Sequence, residues 1–243
     1  MVINKVSNFF TRLIFRLKTV RELKSENREC VVFGSGPSLD LLHDYSDFLV
    51  GKDLVGCNFV CDHAELKKRK FQMYSIIDKD YTKKVDAQFF NSLRSKYILI
   101  AQKNMYDVPF KVLLRTTTKI IKSEPFILSS YKSGSLSRDK IYTGNSVPFL
   151  IQNLAKFTSY KTIYLLGIDH YPNPLNNSNG NFKGYKGREV KILDMTQQKL
   201  DYIEGLFEYS LNVCSNQGIA LYNVTPNTHL KVIPKYNGKR NSL

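Results

Sequence analysis

The sequence predicts an α/β fold: one domain built on a mostly parallel sheet with helices on both faces, preceded by a separate amphipathic helix. Three observations predict it. Short apolar runs alternate with segments of helical periodicity from Cys30 to the last apolar run. Most of these runs end in Gly, Asn or Asp, residue types that turn a chain out of a strand. A chain of 243 residues is long enough for one substantial core and short for two, so a single domain is expected over residues 26–243 behind a segment 1–25.

That first segment differs from the rest. In MVINKVSNFFTRLIFRLKTVREL, Ile3, Val6, Phe10, Leu13, Ile14, Leu17 and Val20 recur at three- and four-residue spacing, the stripe of one helix face. Lys5, Arg12, Arg16 and Lys18 occupy other faces. Arg12 and Arg16 interrupt the apolar run, which leaves neither a signal-peptide core nor the roughly twenty apolar residues of a spanning helix. A basic helix of this kind lies in the interface of an anionic bilayer or packs on its own domain, and the periodicity serves both.

The remaining elements follow in order. CVVFG is a buried strand and DLLHDYSDFL the helix or turn after it; DLVGCNF, FQMYSIID and KYILIAQ are the second, third and fourth strands. KVLLRT is a candidate strand, and YKSGSLSRDK has the composition of a mobile loop. VPFLIQNLAKF is helical, and KTIYLLGID is the clearest strand of the chain. DMTQQKLDYIEGLFEYSLNVCSNQG is a long amphipathic helix stopped at Gly218, and IALYNVT is the last strand. The Asn-, Gly- and Pro-rich YPNPLNNSNGNFKGYKG is expected to be a substrate lid.

A formal net charge of +15 directs the surface field at phosphates, nucleic acid or an anionic membrane. The basic residues are spread widely rather than interleaved with aromatics in an RNA motif, so nucleic acid is not the expected partner. The run Lys67, Lys68, Arg69 and Lys70 reads as a solvated helix face. Cys30, Cys57, Cys61 and Cys214 form no C-x-x-C pair, which argues against a zinc ribbon or a disulfide framework and fits a reducing cytoplasm.

Ligands of such sheets bind beyond the carboxyl ends of the strands, which directs attention to the residues just after each apolar run. After the first run, Gly34, Ser35, Gly36, Pro37 and Ser38 offer main-chain N–H groups and hydroxyls to a phosphate at a helix start, or make an ordinary tight turn. The turn lacks the third glycine of the dinucleotide fingerprint and the Gly-Lys-Ser/Thr of a P-loop. Asn58 follows the second run. Asp78 and Asp80 follow the third, as a divalent-cation pair on a diphosphate, as ribose ligands, or as ordinary loop acids. Thr143, Gly144, Asn145 and Ser146 open a helix whose free N–H groups can face an anion. Asp169, His170 and Tyr171 end the strongest strand, where a histidine suits a general base and a tyrosine hydroxyl can donate to a departing phosphate. His170 held by hydrogen bonds in its loop accounts for the residue equally well, and His43, His63 and His229 read as surface or structural.

Taken in order, VVFGSGPSLD, GCNF, the strand to Asp78, TGNSV, YKTIYLLGIDHY and IALYNVTPNTHLKVIP resemble the bacterial sialyltransferases that use CMP-sialic acid. They also resemble the wider group of 6-hydroxymethylpterin diphosphokinase-like domain proteins of surface-polysaccharide pathways. The resemblance spans about residues 31–234. It implies a single Rossmann-like domain of the nucleotide-sugar transferase type, a CMP site at the Gly-rich turn and Asn58, a tyrosine matching Tyr171 on the leaving phosphate, and no required metal. The sequence departs from that family at Asp78, where the sialyltransferases carry Asn, and it has no histidine between Tyr171 and Asn227, where the family places its base. The base is then His170, Asp169, Asp194 or a residue the pattern does not identify.

These readings converge on an inverting glycosyltransferase that moves a sugar from a CMP-sugar to a lipid-linked or surface-glycan acceptor. It is expected in the cytoplasm, peripheral on the anionic inner face of the cell membrane, with a homo-oligomer left open. Two alternatives stand beside it: a pyrophosphoryl transferase using ATP and magnesium held at Asp78 and Asp80, and a noncatalytic basic module that binds nucleic acid or membrane.

Overall fold

A computed structural model describes residues 22–77, 87–101, 108, 110–113, 115, 117–137, 139–170, 181–185 and 196–237. Most of segment 1–25 therefore lies outside the described residues, as do Asp78, Asp80, Tyr171 and Asp194.

Nine strands are described: β1 (Glu29–Phe33), β2 (Asp53–Cys57), β3 (Phe71–Ile76), β4 (Ser95–Ala101), β5 (Thr118–Ile121), β6 (Glu124–Pro125), β7 (Tyr142–Thr143), β8 (Thr162–Leu166) and β9 (Ala220–Asn223). Seven of them form one sheet in the order β5-β4-β3-β2-β1-β8-β9, with every neighbouring pair parallel. Cys30, Val31, Val32 and Phe33 are all fully buried although successive side chains point to opposite faces. Both faces are thus covered at β1, which is why the strand reads as a continuous apolar run rather than an alternation.

The helices are α1 (Ala87–Ser92), α2 (Phe110–Leu113), α3 (Leu128–Lys132), α4 (Ser146–Phe157) and α5 (Gln197–Asn216), with 3-10 turns at Pro37–Tyr45, Asn58–Asp62 and Leu66–Lys68. The Asn145 side chain caps α4 by accepting from Val147 N at 3.2 Å, and the Thr196 hydroxyl caps α5 by accepting from Lys199 N at 3.3 Å. Gly218, at φ +65°, takes the left-handed conformation that stops α5, as its sequence predicts. Helix α4 packs over β1, β2 and β3, and α5 packs on α4, α3 and β9. No helix among the described residues is long and apolar enough to cross a membrane.

Two expectations change. KVLLRT is not a strand: its start belongs to α2, the strand falls later at Thr118–Ile121, and the Thr118 hydroxyl bonds back to Val112 O at 2.7 Å. A short apolar run does not distinguish a helical turn from a strand. The start of YKSGSLSRDK is built into α3 and the turn after it, with Tyr131 against Phe126 and Tyr209 and with Ser133 and Ser135 bonded to Ser130 O. The small β6–β7 ladder has no counterpart in the sequence reading. Leu23, 1% exposed, already joins the core, with its N–H on Phe157 O.

The chain runs outward from β1 to β5 and then returns to place β8 on the opposite side of β1. The carboxyl ends of β1 and β8 therefore flank the point where the strand order reverses, the usual binding crevice of an open parallel sheet.

Candidate functional site

The turns beyond β1 and β8 are locked together. Gly34 N donates to Leu166 O and Gly36 N to Gly167 O, each at 2.8 Å. Ser38 donates twice to Asp169 Oδ2, from its hydroxyl at 2.7 Å and its backbone N–H at 3.3 Å. The two glycines allow this approach: a Cβ at Gly34 would lie 2.2 Å from Ile168 Cδ1 and 2.4 Å from Gly167 O, and one at Gly36 would lie 1.9 Å from Asp169 Oδ2. The sequence points these donors at a phosphate. In the structure the Gly36 N–H and both Ser38 donors are given to the neighbouring turn, because the parallel register of β1 with β8 brings Asp169 over the start of the 3-10 turn. Pro37 opens that turn and donates no N–H.

Asp169, 8% exposed, has its carboxyl pushed above the usual carboxylate range by burial, against the opposing pull of the Ser38 bonds and of His229. Its neighbours are held from the loop after β9. Thr225 Oγ1 accepts from Ile168 N at 3.0 Å, Thr228 Oγ1 donates to Ile168 O at 2.7 Å, and His229 N donates to Asp169 O at 3.1 Å.

His170 follows in a left-handed backbone conformation, φ +72°, uncommon for a residue with a side chain. Its side chain is 2% exposed, and Nε2 lies 3.3 Å from Glu204 Oε1 on α5. Burial lowers the imidazole pKa below the ordinary histidine value; Glu204 raises part of it back, and His229 lowers it further. Burial thus favours the neutral imidazole, with the Glu204 side chain facing it.

A second group sits beyond β2. Asn58, also left-handed at φ +46°, donates from Nδ2 to Ser146 Oγ at 2.5 Å and accepts Ile77 N on Oδ1 at 3.4 Å, while its carbonyl accepts Tyr74 OH at 2.6 Å. Asn58 therefore ties the ends of β2 and β3 to the start of α4. Of the TGNS residues, Ser146 meets Asn58, Asn145 caps the helix, and the Thr143 hydroxyl donates to Glu124 O at 3.3 Å. Gly144 leaves room for the Tyr202 hydroxyl, which would lie 2.2 Å from a Cβ there.

Residues 181–185, inside the expected lid, join the two groups. Phe182 N donates to Ser35 O at 3.0 Å, Ser35 Oγ donates to Asn181 Oδ1 at 2.9 Å, and Lys183 N donates to Asp40 Oδ1 at 2.9 Å. Phe182 packs edge-on against His63 and Tyr185 against Phe59, both at ring distances of 5.3 Å. Among the described residues no three His, Cys, Asp or Glu side chains gather as a metal site. The sequence reading missed Glu204 because Asp201, Glu204 and Glu208, at helical spacing, look like the solvated face of α5. It missed Asn181 within a loop that carries no positional signal.

By sequence the chain matches no protein-family model and no curated protein. By structure it is similar to the Campylobacter jejuni sialyltransferase CstII in complex with CMP and a trisaccharide acceptor, at TM-score 0.52 and 17% identity over 88% of each chain. It is similar to the α-2,3-sialyltransferase Cst-I of the same organism at TM-score 0.52 and 16% identity, covering 88% of this chain and 82% of that one. It also matches the MAf glycosyltransferase of Magnetospirillum magneticum AMB-1 at TM-score 0.51 and 13% identity, with 96% of this chain laid on 38% of that one. The chain has the α/β fold of these glycosyltransferases, and the resemblance in its ordered motifs holds at the level of the fold.

Proposed function

We propose that the protein is an inverting glycosyltransferase that moves a sugar from a CMP-sugar to a hydroxyl of a surface-glycan acceptor. The observation that carries this reading is the His170–Glu204 pair, 3.3 Å apart, beside the point where the strand order reverses. The fold shared with a sialyltransferase solved with CMP and a trisaccharide supports the donor and acceptor classes.

In the proposed reaction the acceptor oxygen attacks the anomeric carbon as the bond from that carbon to the CMP phosphate breaks. Neutral His170 takes the proton of the attacking hydroxyl, and the imidazolium that forms is faced by Glu204. The Tyr171 hydroxyl donates to the departing phosphate. A CMP-sugar releases a single phosphate group, whose charge hydroxyls and main-chain N–H groups can meet, so no metal is required. Asp169 acts beneath this site by fixing the turn after β1. The net charge of +15 and the amphipathic start favour a peripheral position on the inner membrane face, where lipid-linked acceptors lie.

A thermal-shift panel of CMP, UDP, GDP and ATP, each with and without magnesium, tests the donor class, because a ligand that binds the native state raises its melting point. CMP alone should shift it, with or without metal. A response to none of the four would sink the proposal, and one confined to ATP with magnesium would favour pyrophosphoryl transfer.

A further inference from the structure

Cations that the sequence scatters along the chain gather at the amino edge of the sheet, opposite the candidate site. A cavity of about 480 Å³ opens there between the starts of β2, β3 and β4, lined by Lys52, Lys70, Arg94 and Lys96 together with Asp53 and Gln72. Lys70, Arg94 and Lys96 are exposed. The carboxylate of Asp53 is engaged by Ser25, Asn27 and Tyr160, and Lys52 is shared with Glu29 at 3.4 Å. Arg94 Nη1 donates to Lys68 O at 3.2 Å, which draws the Lys67–Lys70 run, expected as a solvated helix face, into the same surface.

The chain enters the domain at the rim of this cavity. Lys24 O accepts from Gln72 Nε2 at 2.7 Å and from Lys96 Nζ at 3.5 Å. The basic, apolar-striped segment that ends at Glu22 is thus joined covalently to this basic edge of the sheet. The fold thus brings Lys24, at the entry to the domain, against Lys96, about seventy residues away in sequence.

We infer that the amino edge of the sheet is the face by which the protein docks on an anionic lipid bilayer, with Lys70, Arg94 and Lys96 around a lipid phosphate. The inference rests on the peripheral-membrane part of the proposed function and adds which face is engaged. A lipid surface fits better than nucleic acid because an apolar stripe has a use in acyl chains and none on a phosphate backbone, and the cavity presents no exposed aromatic platform for bases. Strands of five to seven residues separate this edge from the turns around His170, roughly 15–20 Å at a strand rise of about 3.3 Å per residue.

The test is co-sedimentation of the full chain with phosphatidylcholine vesicles, with and without phosphatidylglycerol. Three proteins are compared: the wild type, Lys70→Glu/Arg94→Glu/Lys96→Glu, and a control with the same charge change on elements that do not line the cavity, Lys132→Glu/Lys199→Glu/Lys231→Glu. A cation near an anionic surface is worth about fivefold in partitioning, so loss of three cations and gain of three anions should weaken binding of the edge variant to anionic vesicles by at least about a hundredfold, while the control keeps most of its binding. All three edge residues are exposed, so the melting temperature and the CMP response should stay at wild-type values. Loss of the CMP response in every sample would count against the transferase reading and leave docking intact. Wild-type binding by the edge variant overturns the inference, as does equal loss in the control, equal binding to neutral vesicles, or tighter binding of the wild type to single-stranded RNA than to anionic vesicles.

Discussion

Asp169 Oδ2 accepts both the hydroxyl and the backbone N–H of Ser38, so a carboxylate from the end of β8 closes the turn that follows β1. The arrangement carries a cost, because burial raises the pKa of Asp169 above its ordinary 3.8. A group whose folded pKa is raised binds its proton more readily in the native state, so its contribution to stability falls as pH rises through the interval above 3.8. Asp169→Asn keeps an acceptor oxygen for Ser38 and carries no charge, and its stability relative to the wild type should improve between pH 4 and pH 7. Asp169→Ala leaves two donors without an acceptor and should lose about 1–3 kcal/mol. Denaturant melts at the two pH values check both; an Asn variant whose relative stability is flat with pH would contradict the account.

The glycine turn makes a companion prediction. A Cβ at Gly36 would meet the buried carboxylate of Asp169 at 1.9 Å, a group that cannot swing away without abandoning Ser38. Gly36→Ala should cost at least about 1–3 kcal/mol, the usual penalty for overpacking. Part of that penalty should disappear in the Asp169→Ala background, where the clashing oxygens are gone, although the contact with Gly167 O at 2.7 Å persists. The coupling is read from a double-mutant cycle. Additive losses would mean that the two turns do not press on one another.

The order of elements was legible in the sequence because a parallel sheet covered on both faces writes its strands as continuous apolar runs, as CVVF and TIYLL do. Gly218 and Asn145 were legible for a similar reason: a helix stop and a helix cap are local events, settled by one residue and the few beside it. What was not legible is the set of partners across the fold. GSGPS reads both as a phosphate turn and as an ordinary tight turn, because a glycine turn that admits a ligand and one that admits a neighbouring turn have the same local sequence. Only the register of β1 with β8 brings Asp169 to Ser38. Glu204 stayed hidden for the same reason, since its distance to His170 is a property of helix packing rather than of spacing.

The anchor of the amino-terminal connector is equally nonlocal. Asp53, at the start of β2, accepts from Ser25, Asn27 and the buried Tyr160 hydroxyl. Tyr160→Phe removes one of three donors and should cost about 1 kcal/mol. Asp53→Ala removes the shared acceptor and should cost more, while speeding tryptic cleavage at Lys24 and Arg28. Unchanged cleavage rates would show that the connector is held without Asp53, by Leu23 with its backbone bond to Phe157 and by the bonds of Gln72 and Lys96 to Lys24 O.

The His170–Glu204 pair yields the prediction most directly tied to chemistry. Burial lowers the His170 pKa from the ordinary 6.5 and Glu204 restores part of it, so the acid limb of kcat/KM should lie below pH 6.5. Glu204→Gln withdraws the restoring charge, and the limb should move to still lower pH. The same substitution should cost about tenfold in kcat, because the imidazolium formed as the proton transfers loses its counter-charge; tenfold corresponds to one pKa unit, about 1.4 kcal/mol. His170→Asn, chosen because Asn tolerates the positive φ of that position, should remove about 10²–10⁴ of the rate while the chain stays folded. A Glu204 that merely braced α5 would, on substitution, lower the melting temperature and leave the acid limb where it was. The pH profile, not the size of the rate loss, therefore decides whether the pair acts in proton transfer.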